Sequence, residues 1–453
     1  MLSAPVSMLK IYNTLSGQKE EFVPQSGKKV KMYVCGPTVY DHSHLGHARA
    51  YVAMDVVRRY LEHLGYSVIY VVNFTDIDDK IINRCKQTGE DPSELTRRLI
   101  NDYLRDMDSL GVMRASFYPK VSDHISEIHD AISRLIKSNK AYVSGGNVYF
   151  RVNPDGVGQL SKQKFSQLHA GARVAIDPGK ENPADFALWK EDDEWGWDSP
   201  WGKGRPGWHI ECSVMGLTYL GPTLDIHAGG NDLIFPHHEC EILQSEALTG
   251  RPFCRYWMHN GMLQMGEEKM AKSLKNFITI REGVEEFGGG ALRFYLVYTQ
   301  YRKPLLFSRD ALMESKVAFE RLKGSIARLR FLDGKKTIDI SKYEKGFYEA
   351  MNDDLNTRDA ISVLFRLLED AEDAGGDSRI RALALIESAQ RILGFSDKGD
   401  EKGIERTIEF LLELRSEARR KKDFKTADLI RDKLRENGVA VEDLDEKSVW
   451  YWR

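Results

Sequence analysis

Cysteine is scarce in this chain: five residues in 453, at positions 35, 85, 212, 240 and 254. So few thiols, odd in number, make no disulfide framework and point to a reducing compartment, the cytoplasm, with thiols used as ligands or as core. Long apolar runs are missing too. No stretch reaches the roughly 20 residues that span a bilayer, Met1 to Lys10 hold no signal-like apolar segment, and no membrane partner is expected. A strong charge of either sign is also absent. With a formal net charge of −3, any nucleic-acid surface must be a local patch. What is present, 42% hydrophobic and 29% charged residues, gives ample core for roughly two to four domains.

The chain is organised around Cys35-Gly36-Pro37-Thr38-Val39-Tyr40-Asp41-His42-Ser43-His44-Leu45-Gly46-His47-Ala48-Arg49. Before it, Val30 to Val34 is β-rich; after it, Ala48, Val52, Ala53, Val56, Tyr60 and Leu64 recur at helical spacing until Gly65. Val68 to Phe74 is a second β-branched run. Strand, loop, helix, strand predicts a parallel unit whose loop lies at the carboxyl ends of the strands, where ligands bind. His44 and His47 stand three apart around the helix start, where free amides and the dipole favour anions and Gly46 lets a phosphate or adenine approach. Two imidazoles there can donate to charge developing on a nucleotide's phosphates during attack on the α-phosphorus. Capping or packing is the ordinary alternative for such histidines.

Further along, Thr75-Asp76-Ile77-Asp78-Asp79-Lys80 follows the second strand; Thr75 is expected in the pocket, and the acids are expected chiefly as helix caps, with a hard-cation site the alternative. Residues 91 to 140 read as helical. Val148 to Val152 and the turn-rich connections around it read as a small β-containing insertion to about residue 200, with Trp189, Trp195, Trp197 and Trp201 packing it or exposing a patch. Then comes Gly204-Arg205-Pro206-Gly207-Trp208-His209-Ile210-Glu211-Cys212, followed by Asp225 to Asp232 and Phe235-Pro236-His237-His238-Glu239-Cys240-Glu241. With Pro236 opening a helix, His237 and Glu241 project from one face. Added to Cys35 and Cys212 they could make a thiolate, thiolate, imidazole and carboxylate set, which suits Zn²⁺ better than Mg²⁺ or Ca²⁺. Cys240 lies near the same face and offers a softer ligand than Glu241. Downstream, Lys269-Met270-Ala271-Lys272-Ser273 sits in a charged loop whose two lysines could close over a triphosphate.

Taken together, these stretches resemble the cysteinyl-tRNA synthetases of the class I aminoacyl-tRNA synthetase family. Cys35 to Arg49 resembles the HIGH-type signature and Lys269 to Ser273 the KMSKS signature, while Gly204 to Cys212, Asp225 to Glu241 and Met351-Asn352-Asp353-Asp354-Leu355-Asn356-Thr357 look like further family stretches. The resemblance covers nearly the whole chain. It implies ATP-dependent activation of L-cysteine to cysteinyl-adenylate and transfer to the 3′ end of tRNA(Cys), with Mg²⁺ accompanying ATP. One Zn²⁺ per chain is implied on Cys35, Cys212, His237 and Glu241. Gly36, Thr75, Trp208 and Asp232 match residues around the amino acid, Asp232 taking its ammonium group, and His44, Gly46, His47, Lys269 and Lys272 match the ATP and transition-state contacts. Three departures stand out. Ala271 replaces a usual serine, removing a hydroxyl worth ~1 kcal/mol of hydrogen bonding, Lys275 replaces a glycine, and Cys240 replaces an asparagine.

The expected architecture is α/β. A Rossmann-like nucleotide-binding catalytic domain (1–111 and 201–250) is split by a connective insertion (112–200). A linking segment (251–310) with the lysine loop, a helical bundle (311–395) and a small C-terminal anticodon-binding domain (396–453) follow. Arg419-Arg420-Lys421-Lys422 beside Trp450-Tyr451-Trp452 suits RNA phosphates and bases, and a monomer is expected. Two rivals remain: a cysteine ligase to an aminosugar acceptor, and a non-catalytic zinc-bearing RNA-binding paralogue.

Overall fold

In the computed structural model of the chain, residues 8–153, 156–162, 178–265, 278–331, 334–395, 401–444 and 447–452 are described. They form two compact units, residues 1–395 and 396–453.

The β-rich run ahead of the histidine loop folds as β1 (Lys29–Val34) and the run after it as α1 (Leu45–His63). Past α1 the chain reverses at Gly65, whose φ of +85° is a conformation that side chains resist. β2 (Ser67–Val72) then runs parallel to β1, from Lys29 opposite Ser67 to Val34 opposite Val72. Beyond the insertion come α2 (Trp208–Leu220), β3 (Leu224–Gly230), α3 (Glu239–Thr249) and β4 (Cys254–Asn260). The sheet order is β4-β3-β1-β2, all parallel. Both faces are covered: Val30, Met32, Val34, Ile226, Ala228 and Met258 are buried on one and Tyr33, Val71 and Trp257 on the other, as a parallel sheet requires. The chain leaves β1 toward β2 on one side and β3 toward β4 on the other. The order therefore reverses between β1 and β3, and a crevice opens at their carboxyl ends.

The insertion carries a helix (Ile125–Lys137) and a four-stranded antiparallel sheet of Ala141–Ser144, Asn147–Phe150, Phe186–Glu191 and Gly204–Pro206. Trp189 is fully buried there, and Trp195, Trp197 and Trp201 pack against the same core, so the tryptophan-rich stretch holds the insertion together. Asp78 caps the following helix by accepting from the Lys80 amide, while Asp79 pairs with Lys190 and Arg205, so these acids are structural. Helices Arg309–Phe331, Ser341–Asn352, Thr357–Asp370 and Gly376–Leu393 make the bundle that closes the first unit.

In the second unit, helices Glu401–Arg420 and Phe424–Glu436 pack with an antiparallel pair, Val439–Leu444 and Lys447–Trp452, around Ile408, Leu412, Leu434 and Val439. The C-terminal aromatic run is thus a strand, with Trp450 packed against that small core.

Candidate active site and metal centre

The histidine loop stands at the carboxyl end of β1, over the N-terminus of α1. His44 is the N-cap: its Nδ1 accepts from the Gly46 amide at 3.0 Å, and its own amide donates to His47 Nδ1 at 3.3 Å. Because each ring spends Nδ1 as an acceptor, each neutral ring carries its hydrogen on Nε2. The rings stack at 3.8 Å and 18°. Capping and anion contact are therefore one arrangement here, since the cap fixes the tautomer that makes both histidines donors. A Cβ on Gly46 would lie 2.8 Å from the His44 ring, so glycine is what lets the cap close. Three residues beyond Gly46, buried Arg49 donates to the carbonyls of Leu296, Thr299, Gln300, Tyr301 and Lys303. It thereby ties the start of α1 to the end of helix Gly289–Tyr298.

Burial lowers His44 to about 4 and His47 to about 3, from 6.5, so both are neutral at physiological pH. The unfolded chain binds more protons than the native one below 6.5, so stability is complete above that value and is lost as pH falls toward the folded values. Between about pH 7.5 and 5.5 the loss is roughly 1 kcal/mol per histidine, and the thermal midpoint is expected to fall measurably. A midpoint that holds or rises over that interval would contradict the buried, neutral pair.

The crevice encloses about 510 Å³, lined by Gly36, Thr75, Trp208, Asp232 and both histidines, among others. Gly36 lies so close to β2 that a Cβ would stand 1.5 Å from the Asn73 carbonyl oxygen, and its amide donates to Asn73 Oδ1 at 2.8 Å. Thr75 is buried and donates to Glu211 Oε2 at 2.7 Å. Burial raises Glu211 well above the usual carboxylate range. Trp208 opens α2, 38% exposed, and stacks on His237 at 4.4 Å and 21°. Asp232 lies exposed just beyond β3.

At the floor, four donors from three separate segments converge. Cys35 follows β1, Cys212 is on α2, His237 precedes α3 and Glu241 lies in its first turn. One donor atom from each falls within 4.8 Å of the others, and all four residues are buried. Cys35 Sγ is 3.7 Å from Cys212 Sγ and 3.6 Å from Glu241 Oε1, and His237 Nε2 is 3.2 Å from the same oxygen. Phe235 is extended and helical backbone starts at Pro236, as its sequence suggests, first as a wide turn to His238 and then as α3, so His237 and Glu241 meet. His237 is oriented from behind, its Nδ1 lying 2.9 Å from His209 Nδ1.

Burial, then the neighbouring Cys212 and Glu241, push the Cys35 thiol well up. The contact with Cys35 pulls Cys212 down, yet burial and Glu241 leave it raised overall. Burial, with His209 and His227 nearby, drops His237 well below its ordinary value. Four donors packed this closely, with both thiols and the imidazole pushed toward their neutral forms, are a set that a dication would stabilise by drawing off the thiol protons. Two sulfurs, one imidazole and one carboxylate suit Zn²⁺.

Sequence reasoning missed the histidines beneath. Cys35, His227, His238 and Glu241 form a second group of the same spread. His227 Nε2 lies 2.9 Å from Glu241 Oε2, and His238 Nε2 3.3 Å from Cys35 Sγ. His238 Nδ1 continues to His259 Nε2 at 2.8 Å, and His259 Nδ1 to Thr14 Oγ1 at 2.8 Å. Only the place of His227 in the buried strand β3, on the face opposite Ile226 and Ala228, hinted at this layer. Cys240 belongs to neither group; its thiol is buried and raised by that burial. Lys269 and Lys272, with Ala271 and Lys275, lie outside the described residues.

A parallel sheet with a histidine-capped helix at its switch point is the frame of a nucleotide site, and the match to a family model makes it that of a class I aminoacyl-tRNA synthetase. Residues 21–317 match the family model described as tRNA synthetases class I (C) catalytic domain, 346–396 the DALR domain, and 401–453 the cysteinyl-tRNA ligase anticodon binding domain. Among solved structures, Mycobacterium tuberculosis methionyl-tRNA synthetase in complex with methionyl-adenylate aligns with TM-score 0.62 at 15% identity. That match covers 81% of this chain and 92% of the other, a likeness of fold. Curated relatives narrow the class. A cysteine–tRNA ligase of Carboxydothermus hydrogenoformans is 46% identical, and one of Thermococcus onnurineus 44%. Each match covers 98% of this chain, and 99% and 98% of the respective relative. The chain belongs to the cysteine–tRNA ligase family.

Proposed function

We propose that this protein activates L-cysteine with ATP, forming cysteinyl-adenylate and pyrophosphate, and passes the cysteine to the 3′ end of tRNA(Cys). One observation carries the reading: Cys35, Cys212 and His237, with Glu241 buried against them, lie at the floor of the same crevice that His44 and His47 line.

In activation, the substrate carboxylate attacks the α-phosphorus, and His44 and His47 donate to the phosphate oxygens where charge accumulates. Gly46 keeps the start of α1 open to the nucleotide. Lys269 and Lys272 neutralise the departing pyrophosphate, and Mg²⁺ accompanies the nucleotide. Asp232 takes the substrate ammonium, while Gly36, Thr75 and Trp208 bound its side chain. Cys35, Cys212, His237 and Glu241 would hold Zn²⁺, which would supply a soft Lewis acid that favours a substrate thiolate over a hydroxyl. The domain limits and the monomeric, cytoplasmic state given above belong to this reading, with residues 396–453 as the anticodon-binding domain.

The acceptor separates it from an aminosugar ligase. Incubation with ATP, cysteine and either a tRNA(Cys) transcript or an aminosugar is expected to yield only cysteinyl-tRNA. Consumption of the aminosugar with no charged tRNA would reverse the assignment.

A further inference from the structure

Glu239 is the one acid of the Glu239-Cys240-Glu241 run to which the reading above gives no task, and its surroundings are unusual. It opens α3, is 1% exposed, and its carboxylate accepts four backbone amides from the insertion. Gly158 and Gln159 donate to Oε1, both at 2.8 Å, while Leu160 and Ser161 donate to Oε2 at 3.2 and 2.9 Å. Four consecutive N–H groups converging on one carboxylate make an anion nest, the strongest backbone arrangement for a negative charge short of a metal. Gly158 turns the chain there with φ +93°. At the far end of the same turn, Lys162 Nζ donates to the Gln159 carbonyl at 2.8 Å and to Leu15 O at 2.6 Å, and Leu160 between them is buried in the core of the metal-bearing half.

The clamp lies within two residues of both donors that this segment contributes. Phe235, upstream of His237, is the one residue of Ile234–His238 with non-helical backbone, so helical geometry already spaces His237 and Glu241, and what is left to fix is where this turn sits against Cys35 and Cys212. Glu239 fixes this from between His237 and Glu241: its backbone belongs to α3 and its side chain is fixed in a different part of the fold. We infer that Glu239 is a positioning residue for the metal centre, locking the His237–Glu241 pair by docking the first turn of α3 onto the Gly158–Ser161 turn of the insertion. The insertion thereby acts in substrate selection, and this role rests on the proposed cysteine activation.

Glu239→Gln keeps the shape but aims an amide N–H₂ at two of the four N–H donors, and Glu239→Ala removes the clamp. Each variant, beside the wild-type protein, would be loaded with Zn²⁺ and challenged with a chelator. Amide hydrogen exchange at 158–161 and the KM values for cysteine and ATP in pyrophosphate exchange would be followed in parallel. We expect faster exchange at those amides, at least tenfold faster zinc loss, and a cysteine KM raised about tenfold with the ATP KM unchanged. Glu239→Asp, which retains the charge at shorter reach, is expected to recover part of both effects. Unchanged zinc loss and cysteine KM in Glu239→Gln, with only a lower melting temperature, would make Glu239 merely structural and overturn the inference. Wild-type protein that binds no zinc would overturn the function reading itself, a result the wild-type arm distinguishes.

Discussion

Cys212→Ser is expected to lose bound zinc and cysteine activation together. The substitution changes one atom at a fully buried position on α2, so the fold has little reason to respond. Ile210, Val214 and Met215 on the same helix remain packed. The donor set responds strongly, because a serine hydroxyl does not ionise as a thiol does beside a metal and is a poor zinc ligand. Three donors remain, with Glu241 still buried against His227 and His237. Metal analysis is expected to find less than a tenth of the wild-type content, and exchange of pyrophosphate with cysteine to fall at least 100-fold, about 3 kcal/mol in transition-state stabilisation. Circular dichroism close to wild type would show that the loss is local. Activation that survives in a metal-free variant would end the proposal that these four residues select the substrate through a metal.

The second large effect concerns stability. Asp354 is expected to be among the costliest carboxylates in the molecule to remove. Buried to 1% exposure, it accepts the Tyr12 amide at 2.9 Å, the Tyr301 hydroxyl at 2.8 Å, Gln300 Nε2 at 3.0 Å and Arg302 Nε at 2.6 Å. Its neighbours extend the joint: Asn352 accepts from Tyr60 of α1, and Thr357 donates to the Val297 carbonyl. Asp354 and Leu355 both hold positive φ, +58° and +50°, which non-glycine residues adopt only when surrounding contacts demand it. Asp354→Ala strips the acceptor from four donors, one of them a guanidinium, and is expected to cost about 3–5 kcal/mol of unfolding free energy. Denaturant unfolding of the whole chain measures it, and a change below about 1 kcal/mol would show that water replaces the carboxylate.

That joint explains a stretch which resemblance alone had singled out. Met351 to Thr357 holds carboxylates and amides with nothing to say what they bind, and its role as a knot between strand Lys10–Asn13, α1, helix Gly289–Tyr298 and the bundle depends on partners up to 342 positions away. Local signals were a better guide elsewhere. The β1-α1-β2 unit was readable from periodicity and a closing glycine, and His237 with Glu241 from a spacing of four. The pairing of Cys35 with Cys212 was not, since 177 residues separate two thiols that meet only when β1 and α2 pack together. The histidine layer of His227, His238 and His259 escaped for the same reason. Each histidine is unremarkable in its own segment, and the layer exists because β3 and β4 lie side by side beneath α3.

The most direct test of the account is ATP–pyrophosphate exchange with cysteine and with serine, on protein whose zinc content is measured beforehand. Exchange supported by cysteine alone, rising in proportion to zinc, is the predicted result. Equal exchange with serine, or cysteine-dependent exchange indifferent to zinc content, would contradict it.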